Sequence, residues 1–143
     1  YLTLDTTAAA VTHNGNWNNT NPTDSVFTVG DGATNVAQAQ IAYLFATVAG
    51  VSKVGSFTTT GSDVNVDCGF SNGARFVLIK RTDGNAEWWF WDSITAGNDS
   101  RLTLHDNGAA ASANNIDPYS AGFTMKTNII GPSGQNYIFY AIA

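Results

Sequence analysis

Residues Ala74 to Ser93 read ARFVLIKRTDGNAEWWFWDS. Two apolar runs, Phe76–Ile79 and Trp88–Trp91, flank a polar centre that contains Asp83-Gly84. That dipeptide favours a two-residue hairpin turn, whose central positions both take positive φ. The stretch therefore predicts an antiparallel pair of strands. Successive side chains of a strand point to opposite faces. Phe76 and Leu78 then share one face and Val77 and Ile79 the other, while Trp88 and Phe90 oppose Trp89 and Trp91. A sheet with one wet side alternates apolar with polar residues. Here both faces are apolar, so the second needs a cover: a neighbouring unit, a long loop or another subunit.

Working outward, the same punctuation continues. VSKVGSFTT from Val51 is closed by Gly61-Ser62, and Asp63–Cys68 alternates so that Val64, Val66 and Cys68 face a core. Ser71-Asn72-Gly73 turns the chain into the hairpin. LTLH at 102–105, GFTMKT from Gly122 and NYIFYAIA from Asn136 bring the total to about eight strands. No segment keeps a 3.6-residue apolar period, although Ala8–Val11 and Ala109–Ala113 each suit one helical turn. The expected fold is all-β, an antiparallel β-sandwich of jelly-roll-like units.

Composition narrows the partners. Charged residues make up only 12% of the 143, and the net charge is -5. Of the six cations only Lys80 and Arg81 are adjacent, so no basic stripe exists to displace counterions from nucleic acid. No apolar run approaches the ~20 residues of a membrane-spanning helix. Cys68 is the single cysteine, which rules out an intrachain disulfide and a thiolate metal cluster and reads as a buried thiol.

A long-range periodicity is also present. Leu2-Thr3-Leu4 recurs at Leu102-Thr103-Leu104, 100 residues on, and Ala8-Ala9-Ala10 recurs at Ala109-Ala110-Ala111, 101 residues on. Phe27-Thr28 returns as Phe123-Thr124, 96 residues on, and IAYLFA (41–46) parallels IFYAIA (138–143), 97 residues on. Four matches in one order imply a tandem repeat of about 97 residues. Residues 1–46 are then the C-terminal half of a preceding unit and residues 47–143 a complete one. On this reading the natural polypeptide extends further towards its N-terminus.

Residues that bear chemistry are few. Glu87 and Asp92 bracket the tryptophans, but on one strand they point to opposite faces ~17 Å apart, too far for a paired-carboxylate glycosidase. Asp83–Glu87 has the alternating oxygens of a calcium loop without the rest of its pattern. His13 and His105 lack the partners of a zinc site. No G-x-S-x-G elbow occurs. Asn18-Asn19-Thr20 and Asn98-Asp99-Ser100 fit the N-glycosylation sequon. No catalytic, metal or cofactor-binding residue is assigned. Trp88, Trp89 and Trp91 are candidates for stacking on sugar rings or for packing in a core. Trp17, in a polar Asn-rich loop, is a second sugar-stacking candidate.

YLFATVAGVSKVGSFTTTGS (Tyr43–Ser62), VDCGFSNGARFVLIKRTD (Val66–Asp83), WWFWDS (Trp88–Ser93) and the closing NYIFYAIA resemble a repeat domain of tail-fibre-like and other virion structural proteins of bacteriophages, especially marine ones. The likeness covers residues 41–143. It departs from the family pattern at Val51, where an aromatic is usual, and at Asn72, where Pro is common. Residues 1–40 match only as the tail of a preceding unit. The resemblance implies a non-enzymatic appendage protein of the virion or extracellular space. Its partners would be copies of itself, as a homotrimer, and a host cell-surface glycan, with no cofactor. Two other readings stand beside it: a carbohydrate-binding module that uses Trp88, Trp89 and Trp91, and a self-assembling extracellular filament subunit.

Overall fold

The computed structural model describes residues 1–30, 39–93, 100–104, 106–112, 114–127 and 131–143. It divides into two units: Tyr1 with Ala10–Leu44, and Leu2–Ala9 with Phe45–Ala143.

Every strand among the described residues belongs to the second unit. In chain order these are β1 (Ser52–Thr58), β2 (Val64–Asp67), β3 (Phe76–Arg81), β4 (Trp88–Asp92), β5 (Ser100–Thr103), β6 (Ala111–Ser112), β7 (Ile116–Tyr119), β8 (Gly122–Met125) and β9 (Asn136–Ile142). A six-stranded sheet runs β1-β9-β3-β4-β5-β6, and a three-stranded sheet runs β2-β8-β7. All their pairings are antiparallel. The fold is an all-β sandwich.

The hairpin that organises it pairs Lys80 with Trp88, Ile79 with Trp89, Leu78 with Phe90 and Val77 with Trp91. The last strand, β9, inserts between β1 and β3, so the C-terminal segment joins the hairpin to the start of the unit. Val77, Ile79, Trp89, Trp91, Tyr137, Phe139 and Ala141 face Val66, Ile116, Phe123 and Met125 of the smaller sheet. Phe123 meets Phe139 edge-on, with centroids 5.3 Å apart. Burying each such large side chain contributes roughly 1.5–3 kcal/mol. As the alternation required, Val66 and Cys68 are buried and Val64 packs against them.

The structure corrects the local reading at several points. The hairpin exists, but its turn is not the two-residue type. Residues 82–87 link the strands, and Gly84 does not adopt positive φ. Hydrogen bonds explain the wider loop. Arg81 Nε donates to Asp83 Oδ1 at 2.7 Å, and the other oxygen of Asp83 accepts from the Asn136 amide at 3.0 Å. The Arg81 guanidinium lies over Gly84, where a Cβ would be 2.6 Å from it, so a larger residue would have to push that flexible side chain aside. Gly73, just before β3, is one position where a turn does need positive φ, at +79°, and its amide donates to Ser120 O.

Two strands escaped the pattern, β6 and β7. Pro118 argues against a strand, yet β7 pairs with β8 alone and is an edge strand, where proline is tolerated. Ala8–Val11 is irregular and Ala111–Ser112 is strand, so neither expected helical turn forms among the described residues. His105, Asn98 and Asp99 lie outside the described residues. In three of the matched sequence pairs, the later member is strand and the earlier one is irregular: 2–4 against β5, 27–28 against β8, and 41–46 against β9.

The first unit has a different character. Its one helix among the described residues is the single turn α1 (Asn14–Trp17), capped by His13, whose Nδ1 accepts from the Gly15 amide at 3.1 Å. Asn18 and Asn19 end it with φ of 49° and 50°. Asparagine adopts this left-handed region more readily than other residues with a side chain. Four residues are too few to leave a helical period in the sequence.

Candidate functional site

The tryptophans separate by strand parity. Trp91 is 1% exposed and Trp89 8%, so both rings are packed between the sheets and present no face to a sugar. Trp89 is held on several sides. Its Nε1 donates to Glu87 Oε2 at 2.9 Å, Tyr137 stacks on it at 6.4 Å, and the Arg101 guanidinium lies 5.5 Å from its ring centroid. Trp88, on the opposite face, is half-buried and donates its Nε1 to Thr3 O at 2.9 Å. Of the three candidates in the run, two are core residues and the third is engaged by the chain's own segment.

That segment, Leu2–Ala9, covers one end of the outer face of the larger sheet. Lys80, on the same face as Trp88, is fully buried. Its Nζ donates to Thr7 O at 3.1 Å and to Ala86 O at 2.7 Å. The Ala86 amide in turn donates to Thr7 O. Burial, and to a lesser extent the neighbouring Arg81 charge, push the Lys80 ammonium below the ordinary lysine range. The expected cover for the second apolar face is thus supplied in part by residues of the same chain.

The rest of that face is apolar and, among the described residues, only partly covered. Register places Val54, Tyr140, Leu78, Phe90 and Leu102 side by side across β1, β9, β3, β4 and β5. This is an unbroken apolar row across five strands. Phe45 packs on Tyr140 at 4.6 Å and Phe76 on Phe90 at 4.9 Å, yet Val54 is 43% and Ile138 39% exposed.

Several charged groups in this unit are tied to each other. Lys126 Nζ sits 2.6 Å from Asp63 and 3.1 Å from Asp117. Asp63, which also accepts from the Thr127 amide and hydroxyl, is held below the usual carboxylate range, chiefly by its bond to Lys126. Asp83 is held low as well, by Arg81 above all. Glu87 turns to Trp89 and Arg101 while Asp83 turns to Arg81 and Asn136, so the two acids of the loop do not converge. Cys68 is buried, and desolvation is the main cause that pushes its thiol up to about 11.

Trp17, in the first unit, differs from the other tryptophans. It is 43% exposed, meets Phe27 edge-on at 6.2 Å, and lines a cleft of about 500 Å³. Tyr1, Thr12, His13, Asn19 and Asn21 also border that cleft. Sequence reasoning found Trp17 but not its neighbours. Their only signal was the density of Asn and Thr around one indole.

Fold and site together define a β-sandwich protein with an aromatic-rich sheet face and a separate polar cleft beside a tryptophan. The chain belongs to the family described as Domain of unknown function (DUF7483), whose model matches residues 1–143. No curated protein and no solved structure matches it. No helix among the described residues is long and apolar enough to cross a membrane.

Proposed function

We propose that the chain is a non-enzymatic structural module of a bacteriophage virion appendage, such as a tail fibre, which acts in assembly or host adhesion outside the cell. The observation that carries this reading is the apolar row Val54–Tyr140–Leu78–Phe90–Leu102 on the outer face of the six-stranded sheet. Large apolar patches on a soluble protein mark association surfaces, and a flat five-strand row suits packing of sandwich against sandwich. Copies of the same chain are the natural occupants in a fibre, and a homotrimer is the expected assembly. The likeness of residues 41–143 to virion repeat domains supports the same role.

Sedimentation velocity of the purified full chain tests it. The wild type should sediment as an oligomer. Val54→Glu with Ile138→Glu places charges at exposed positions of the face and should yield monomers with an unchanged far-ultraviolet circular dichroism spectrum. A wild type that stays monomeric at high concentration would overturn the reading.

A further inference from the structure

The geometry points to the cleft at Trp17 as a binding site for a neutral carbohydrate, one or two pyranose rings in extent. The volume, about 500 Å³, falls within the range of small-ligand clefts, roughly 300–1,000 Å³. The lining combines what a pyranose needs. Its C–H face requires an accessible aromatic surface, and Trp17 leaves 43% of its surface open while Phe27 braces the indole edge-on at 6.2 Å. The ring hydroxyls require groups that both donate and accept, and Thr12, Asn19, Thr20 and Asn21 supply hydroxyls and amides around the same space.

His13 adds an oriented donor. Its Nδ1 is occupied as acceptor of the Gly15 amide at 3.1 Å, so in the neutral ring the proton resides on Nε2. Tyr1 sits edge-on to this imidazole at 6.2 Å, with both rings on the wall of the cleft. None of the lining residues is Asp, Glu, Lys or Arg. The α-ammonium of Tyr1 is spent on Val11 O at 2.6 Å, so a phosphorylated, sulfated or carboxylated ligand would have to compete for it and finds no charged Lys or Arg side chain, whereas a neutral polyol needs neither.

Backbone detail supports a built site. Asn18 and Asn19 are the two residues other than glycine with positive φ among the described residues, and they follow Trp17 directly. The turn is held by the Thr20 amide donating to Trp17 O at 2.9 Å and the Gly30 amide to Asn16 O at 2.6 Å. This site is independent of the assembly reading. A monomer that binds sugar and an oligomer that does not would separate the two.

The test is calorimetric titration of the full chain with glucose, galactose, mannose, N-acetylglucosamine, maltose and lactose, with glucuronate as the charged comparison. At least one neutral sugar should bind with Kd on the order of 0.1–10 mM, and glucuronate more weakly than glucose. Trp17→Ala should weaken that binding at least about tenfold, and Trp17→Tyr should retain part of it. Asn21→Ala, at an exposed position, should also weaken binding while leaving the thermal unfolding curve in place, which keeps the test decisive if Trp17→Ala perturbs the loop. Failure of every neutral sugar to bind, stronger binding of glucuronate, or binding indifferent to Asn21→Ala and Trp17→Tyr would each overturn the assignment.

Discussion

Replacing Trp91 by phenylalanine should leave stability nearly unchanged, although this is among the most buried side chains of the protein. Trp91 is 1% exposed, opposite Val77 in the hairpin, and its indole Nε1 meets no hydrogen-bond partner among the described residues. An unsatisfied buried donor costs about 1–3 kcal/mol, which the substitution recovers. Against that gain, two ring carbons lose burial, worth about 1.5 kcal/mol. A residual cavity of roughly 40 Å³ adds about 1 kcal/mol. The opposing terms cancel to within about 1.5 kcal/mol, or a shift of about 6–12 °C at most in Tm for a domain of about 100 residues. Trp91→Ala removes the ring without compensation and should cost about 3–5 kcal/mol. Urea titration monitored by circular dichroism measures both variants on one scale. A loss above about 3 kcal/mol for Trp91→Phe would refute the reasoning, because it would mean that the indole N–H is bonded in the native state.

Cys68 gives the protein a measurable alkaline sensitivity. Burial raises its thiol from an ordinary 9.0 to about 11, so above pH 9 the unfolded chain loses a proton that the native chain keeps. The stability contributed by the protonated thiol is complete below pH 9 and is lost as pH rises to about 11, a change of about 3 kcal/mol. The gap in unfolding free energy between wild type and Cys68→Ala should therefore narrow over that interval, and a gap constant from pH 8 to 11 would contradict it. Gly55→Ala should destabilise, although alanine is ordinarily the better strand residue, because the new Cβ would lie 2.7 Å from Phe139 Cζ, on a ring that is 4% exposed. The expected cost is about 1–3 kcal/mol, read from the urea midpoint, and a stabilised variant would show that the ring has room to move.

The all-β class, the β3–β4 pairing, the inward direction of Val64 and Val66, and the separation of Val77, Ile79, Trp89 and Trp91 from the opposite face were determined by sequence alone. A strand's two-residue period assigns each side chain to a face without reference to the rest of the chain. The same period announced that one of the two apolar faces would need a cover. The partial cover of that face was beyond it: the docking of Leu2–Ala9 on Lys80, Ala86 and Trp88 joins residues more than seventy positions apart, and no local pattern encodes such a contact. Tertiary structure also decided which of two equally apolar faces became the core. That choice depended on where β9 inserted and on the three-stranded sheet that came to lie over Trp89 and Trp91. It left these two tryptophans as packing residues and Trp17, in its asparagine-rich loop, as the indole still open to a ligand.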